Sequence, residues 1–523
     1  MILGDILIQN VLRFPHKTGI VDETSKFTWK EANDRANALA NALISLGLNK
    51  GDRVAVLSDN CCQYMVILFG LAKAGLVYIA LNHRLPADQQ EFYIQDVKAK
   101  ALFIQDKFND ILDINSPGMN SVDLFIGIGQ DHGLEHDYDQ LLSDNATTEP
   151  LVEIEPDDLY AIYFTSGTTG DPKGAPRTHR QQLMNSVIDL MTGRNTPNDT
   201  GLISLPMFTA GSVFRLWGHA LSGMKIVTHN FSGKSWAEIV ERERPTITSI
   251  VPIRYHMIRD YLSSAGRHYD ISSLQKVFTG GGMKFRPEVF QEMLSFFDID
   301  HSGLAYGSTE TCGTITFLDA EEIRAGLRPG AGDKERRRLD SIGLPVLDAK
   351  VMLVDEDGRE VQPGQTGEIL LKGDTVTKGY WNRPELNRKA FKQGWFFTGD
   401  FAHMDEDGYL YFDGRKGLTI KTGGFFVNPK TVEEGILKHP TVAETAVFGI
   451  PDPKWIEAIK AVVILKRGEK ASEDEIRDHC RKFLAGFQVP KSVDFMNAED
   501  VPKDGQGKIA VGRLRASYWN KED

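Results

Sequence analysis

Four cysteines in 523 residues leave no room for a disulfide scaffold. Their positions, Cys61, Cys62, Cys312 and Cys480, show no metal-ligand spacing, so reduced thiols in a cytoplasmic protein are expected. A long unbroken apolar run is also missing. The longest, residues 64–81, is interrupted by Gly70, Lys73 and Gly75. It reads as a buried helix followed by a strand over 77–81, not as a transmembrane segment. Positive charge is not in excess. Sixty basic against 72 acidic residues give a net charge of −12, which disfavours nucleic acid and anionic membrane as main partners. Residues 1–14 contain Asp5 and no early positive charge, so they are not expected to be a signal peptide. Repeats and low-complexity tracts are absent.

What is present is an ordinary globular composition, 41% hydrophobic and 25% charged, in a chain too long for one domain. Thr28-Trp29-Lys30-Glu31 is a capping box. Ala32, Ala36, Leu39, Leu43 and Leu46 then line one helical face, and Gly47 stops the helix. A strand over 53–57, a helix over 61–74 and the 77–81 strand follow. This alternation predicts an α/β fold, a mostly parallel sheet with helices on both faces. The best boundary is at Gly414-Arg415-Lys416-Gly417. Beyond it lie roughly a hundred residues with their own helix and strand signals, enough for a small α+β domain. The expected division is 1–413, a connecting segment 414–418, and 419–523.

A short apolar strand, Ala161-Ile162-Tyr163-Phe164, runs into Thr165-Ser166-Gly167-Thr168-Thr169-Gly170-Asp171-Pro172-Lys173-Gly174. The glycines let backbone amides turn toward one point, hydroxyls add donors, and Lys173 supplies a mobile cation. That chemistry suits a polyphosphate. No Walker A pattern fits it. Alone, such a loop would read equally well as a polar surface turn.

The loop resembles the phosphate-binding signature of the adenylate-forming superfamily, in particular its acyl-CoA synthetases. Four further motifs resemble that family in its order: Tyr306-Gly307-Ser308-Thr309-Glu310, Trp395-Phe396-Phe397-Thr398-Gly399-Asp400, Gly414-Arg415 with Ile420-Lys421-Thr422-Gly423-Gly424, and Pro502-Lys503-Asp504-Gly505-Gln506-Gly507-Lys508-Ile509. The resemblance implies stacked sheets in a large N-terminal domain and a small, mobile C-terminal one. It implies ATP, Mg²⁺ and CoA as reaction partners, a small carboxylic acid as substrate, and leaves room for a homodimer. It assigns Thr165, Ser166, Gly167, Thr168, Thr169, Gly170 and Lys173 to the β- and γ-phosphates and Glu310 to Mg²⁺. Thr309 goes to the α-phosphate, Asp400 to the ribose hydroxyls and Arg415 to ribose or phosphate. Gly280, Gly281, Gly282, Tyr306 and Gly307 would lie against adenine and the acyl group. Lys508 would bridge the carboxylate and the α-phosphate during adenylation. Lys421, Gly423, Gly424 and Phe425 would line the path of CoA. Phe208, Val213, Phe214, Trp217, Tyr255, Tyr306 and Gly282 are the candidate acyl pocket, an apolar and aromatic set suited to a fatty or aromatic acid.

Three departures stand out. Gly417 and Leu418 occupy connecting-segment positions that are often charged in the family. Thr209 follows Phe208 where histidine is frequent, and Gln488 stands where a lysine often meets CoA phosphate. Arg215, Arg254 and His256 lie in pocket segments and are expected to face outward; one turned inward would meet a second polar group on the acid. A carrier-protein thiol as acceptor, and a catalytically silent nucleotide-binding protein, are the alternative readings.

Overall fold

The computed structural model describes residues 1–165, 172–280, 287–299, 301–311, 313–415, 420–422, 425–452, 456–503 and 509–519. By internal contacts the chain divides into two units. One comprises Met1–Gly167, Pro172–Val351 and Leu371–Phe396; the other is built chiefly of Met352–Leu370 and Phe397–Asp523.

The larger unit holds two sheets. In the seven-stranded sheet the order is His136–Asp137, Leu124–Ile128, Ala101–Gln105, Arg53–Leu57, Val77–Ala80, Leu159–Thr165, Lys173–Thr178. All neighbours are parallel except the last pair. The nine-stranded sheet runs Leu344–Pro345, Thr316–Leu318, His301–Tyr306, Lys276–Gly280, Ile247–Ser249, Thr200–Ile203, Lys225–Thr228, Thr18–Val21, Lys26–Thr28. It is parallel through its centre and antiparallel at both ends. The α/β expectation therefore holds, because strand-to-helix alternation forces right-handed crossovers between parallel strands.

Local signals behave as the sequence reads. Thr28 Oγ1 accepts the Glu31 amide at 3.2 Å, and Glu31 accepts the Thr28 amide at 2.7 Å. The helix spans Trp29–Ser45 and ends before Gly47, which takes φ +94°. The helix Cys62–Ala74 is buried along almost its whole length. Its side chains share one core with Val54 and Tyr78 of one sheet, Ile20 and Ile226 of the other, and Trp217 of helix Ala210–Ser222. Among the described residues no helix is long and apolar enough to cross a membrane. Cys61, Cys62 and Cys480 are free thiols. Burial pushes Cys61 up to about 11 and Cys480 up to about 11, which makes both poor nucleophiles.

The second unit contains a five-stranded sheet in the order Phe425–Val427, Ile420–Thr422, Ile456–Leu465, Val442–Asp452, with Ser492–Phe495 parallel to Ile456–Leu465. Alternate residues serve opposite faces. Val447, Ile459, Ala461 and Val463 pack with helices Pro429–Leu437 and Glu473–Cys480. Ala446, Phe448, Val462 and Ile464 pack with Leu514 of helix Val511–Trp519.

Arg215 departs from expectation. It turns inward and pairs with Asp189 of helix His179–Gly193, a carboxylate with 0% exposure. Asn195 donates to the same carboxylate at 3.0 Å, and the Arg215 guanidinium lies 5.2 Å from the Phe278 ring centre. Burial raises the Asp189 pKa; the Arg215 charge opposes that rise. Removing one partner of such a pair leaves an uncompensated buried charge. Arg215→Ala is expected to lower unfolding free energy by about 3–5 kcal/mol. Urea titration followed by tryptophan fluorescence checks it, and a loss under 1 kcal/mol would show that water reaches Asp189.

Candidate active site

Thr165, Gly280 and Tyr306 each end a strand that has at least one parallel neighbour. The carboxyl ends of parallel strands are where α/β sheets bind ligands, because the following loops diverge there. Gly280 lies beside Ala305, and a Cβ on it would come 2.5 Å from the Ala305 carbonyl oxygen. After Tyr306 the chain turns tightly. Thr311 Oγ1 accepts the Ser308 amide at 2.9 Å and donates to the Gly313 carbonyl at 2.9 Å. A Cβ on Gly307 would fall 1.8 Å from the Gly313 oxygen, so only glycine fits that position without moving the turn.

This turn delivers Glu310, which is 7% exposed. Its Oε1 accepts the Tyr380 hydroxyl at 2.7 Å, and its backbone carbonyl accepts the Thr377 amide at 2.8 Å. Fully buried Arg177 donates to the Thr309 carbonyl at 2.8 Å and to the Thr375 carbonyl. Gln181 donates to the Val376 carbonyl at 2.8 Å, and Thr377 Oγ1 to the Pro176 carbonyl at 3.0 Å. The 375–380 segment is thus tied to Glu310, to the Lys173–Thr178 strand and to the helix that follows it. Lys173 opens that strand, opposite Thr165. Its ammonium lies 5.5 Å from the Tyr380 ring centre. One tyrosine therefore stands against both an ammonium and a carboxylate.

The second unit carries its own pair. Strands Trp395–Met404 and Leu410–Arg415 set Asp400 opposite Arg415, with Arg415 Nε 3.3 Å from Asp400 Oδ1. Asp400 is 7% exposed, and its amide donates to Thr398 Oγ1 at 3.0 Å. Gly399 takes φ +74°, a left-handed conformation that explains the glycine of Thr398-Gly399-Asp400.

The candidate pocket residues have separate surroundings. Val213 and Trp217 are fully buried in the central core, where the Trp217 indole N–H donates to the Tyr160 hydroxyl at 2.8 Å. Phe208 is half-buried and meets the His83 ring edge-on at 5.2 Å. Phe214 and Tyr306 are buried. Tyr255 is buried, yet its hydroxyl donates to Glu292 at 2.8 Å. Thr209 caps helix Ala210–Ser222, its Oγ1 accepting the Ser212 amide at 3.4 Å. Histidine could not make that cap in the same way, which gives the departure a structural reason. Ser166, Gly167, Thr168, Thr169, Gly170, Gly281, Gly282, Gly423, Gly424 and Lys508 lie outside the described residues, as do the connecting residues Gly417 and Leu418 and the side chains of Lys421 and Phe425.

Sequence reading missed Arg177, Gln181, Thr377 and Tyr380. Arg177 left a trace, since it falls on the same strand face as Lys173 at a spacing of four. Tyr380 left none.

Comparison with known proteins identifies the family. A family profile described as AMP-binding enzyme matches residues 7–381, and one described as AMP-binding enzyme C-terminal domain matches 431–508. The chain belongs to the AMP-binding enzymes. It is an adenylate-forming acid–thiol ligase of the acyl-CoA ligase family, a family that uses ATP with Mg²⁺ and CoA. It is 32% identical over 523 residues to a feruloyl-CoA synthase of Amycolatopsis, covering 99% of each chain. It is also 32% identical to the long-chain-fatty-acid–CoA ligase FadD13 of Mycobacterium tuberculosis, covering 99% of this chain and 98% of the other. The crystal structure of the anthranilate CoA ligase AuaEII with anthranoyl-AMP superposes with a TM-score of 0.84 at 25% identity, over 99% of this chain and 97% of that one.

The site fits a hard cation. Glu310 offers a nearly buried carboxylate already oriented by Tyr380. Among the described residues there is no cluster of three or more His, Cys, Asp or Glu that could hold a metal. An ion held by one carboxylate and by substrate phosphates needs no such cluster, and that is the coordination Mg²⁺ favours.

Gly307→Ala is expected to lower ATP-dependent pyrophosphate release at least about tenfold, since the turn that aims Glu310 must open to admit the methyl. A continuous pyrophosphate assay reads the effect, and a wild-type rate would show that the turn is not held in this form.

Proposed function

We propose that this ligase is an ATP-dependent acyl-CoA synthetase that activates an acid with a fatty or aromatic body and hands the acyl group to CoA, in the cytoplasm. One observation carries the reading. Tyr380 holds Glu310 through its hydroxyl and faces Lys173 with its ring, next to the strand end where the glycine- and threonine-rich loop begins. An ammonium and a carboxylate with a shared anchor are what a polyphosphate and its cation require. The apolar pocket set, and the aromatic and long-chain substrates in the names of its relatives, support the substrate class.

In the first half-reaction a carboxylate oxygen of the acid attacks the α-phosphorus of ATP, and the bond to pyrophosphate breaks. In the second, the CoA thiol attacks the acyl carbon and AMP leaves. Neither needs a covalent enzyme nucleophile, so the residues position groups and offset charge. Residues 165–170 and Lys173 would bind the β- and γ-phosphates and Thr309 the α-phosphate. Glu310 would hold Mg²⁺, whose charge neutralises the phosphates. Asp400, an acceptor-only group, suits the ribose hydroxyls, and Arg415 beside it suits ribose or phosphate. Gly280, Gly281, Gly282, Tyr306 and Gly307 would border the adenylate. Phe208, Val213, Trp217, Tyr255 and Tyr306 would border the acyl group.

Lys508 would offset the repulsion between carboxylate and α-phosphate. Lys421, Gly423, Gly424 and Phe425 would then line the route of CoA. Both sets belong to 419–523 and serve one acyl carbon in turn, so that segment is proposed to swing about 414–418 between the half-reactions.

Single-turnover kinetics of each half-reaction test this. Lys508→Ala should slow adenylation by about 10²–10³, the loss typical of one preorganised donor, and affect thioester formation from a pre-made acyl-adenylate much less. Equal slowing of both steps would remove the two-position account. Acyl transfer to a phosphopantetheinylated carrier protein, with none to CoA, would replace CoA as the acceptor.

A further inference from the structure

Two guanidinium groups reach one short segment, Ser204-Leu205-Pro206-Met207-Phe208, which ends on the candidate pocket residue Phe208. Arg254, on helix Pro252–Ser264, donates to the Ser204 carbonyl and stacks over the Phe231 ring at 4.2 Å. It is turned inward, against the outward position expected for it. Arg84 reaches the other end of the segment, its guanidinium 6.0 Å from the Phe208 ring centre. His83 beside it meets Phe208 edge-on at 5.2 Å and stacks on Phe108 at 4.7 Å.

The charges at this place do not balance. Among the described residues neither Arg84 nor Arg254 has an ion pair with a carboxylate. Asp59, which could supply one, is paired with Lys107 and faces His83 Nε2 at 3.6 Å. His83 Nδ1 is buried with no hydrogen-bond partner. Burial first, and the nearby Arg84 charge second, together lower the Arg254 pKa to about 10. A guanidinium has five N–H donors; Arg254 engages the Ser204 carbonyl and no carboxylate. Two like charges, one half-buried, cost stability unless an anion joins them. A carboxylate is the natural occupant, because it accepts two parallel N–H bonds from a guanidinium fork. The neighbouring rings, Phe208, Phe231 and Phe108, suit an apolar body next to that anion.

We propose that Arg84 and Arg254 form an anion seat beside the acyl pocket, so that the acid activated by this chain carries a second carboxylate, remote from the one that joins AMP. The proposal rests on the acyl-CoA synthetase reading and on Phe208 as a wall of the pocket. The phosphates of CoA present similar chemistry, and the experiment separates the two sources.

Binding is read by titration calorimetry with two matched pairs, octanoate against octanedioate and phenylacetate against 1,4-phenylenediacetate. Turnover with the same acids is read by pyrophosphate release. The dicarboxylic member of at least one pair is expected to bind at least about tenfold tighter, the lower range for hydrogen bonds to a charged group. That ratio should fall about tenfold in Arg254→Gln and in Arg84→Gln, whose exposed position makes misfolding no explanation. Arg254→Glu should shift the preference toward 8-aminooctanoate. Equal binding within both pairs overturns the seat, and so does a preference that neither glutamine variant changes. A raised KM for CoA in Arg84→Gln with the acid preference intact also overturns it, and gives the site to CoA phosphate. A standing binding ratio without pyrophosphate release would strike the synthetase reading and leave the seat. Release from octanoate or phenylacetate with no binding ratio would do the reverse.

Discussion

Glu310 is a carboxylate taken almost wholly out of water, and the larger unit is arranged to keep it there in one orientation. A free carboxylate in that position would be costly and would point anywhere its rotamers allow. Three links remove that freedom: the Tyr380 hydroxyl on its side chain, the Thr377 amide on its carbonyl, and Arg177 on the carbonyl just before it. Arg177 holds the Thr375 carbonyl as well, so the turn carrying Glu310 and the segment carrying Tyr380 share one buried anchor. Once Tyr380 is fixed, its ring faces Lys173. The strand end that starts the proposed phosphate loop and the carboxylate proposed for the metal are therefore set by one network. Catalysis by positioning depends on such rigidity, because small displacements of a charged group cost large factors in rate.

The second unit solves a different problem with similar means. Asp400 and Arg415 lie opposite each other across an antiparallel ladder, and each limits the other's rotamers. Their second strand, Leu410–Arg415, runs into the proposed connecting segment 414–418.

Much of the fold was legible because it depends on local rules. The Thr28–Glu31 box, the Arg53–Leu57 strand and the Gly47 stop follow from hydrogen-bonding capacity and periodicity over a few residues. The motifs bearing Thr165, Glu310 and Asp400 were legible through their resemblance to the adenylate-forming family, since alone each reads as a polar loop, a surface carboxylate or a turn. What escaped depends on long-range contact. Tyr380 acts on a residue 70 positions away, and Arg177 on one 198 positions away. No local pattern announces such pairs. Arg215 misled for the same reason: on a helix it reads as a solvent-facing charge, yet its partner Asp189 sits 26 residues earlier on a neighbouring helix. Thr209 was legible only as a departure until its capping bond gave it a role.

The central claim is that an acid oxygen attacks the α-phosphorus of ATP. Isotope transfer tests this most directly. An acid that supports turnover is labelled with ¹⁸O in its carboxylate and incubated with the enzyme, ATP, Mg²⁺ and CoA. AMP is then analysed by mass spectrometry. One ¹⁸O in AMP, with unlabelled pyrophosphate, is the predicted result. Label in inorganic phosphate with ADP as the nucleotide product would mean an acyl-phosphate route and would contradict the account.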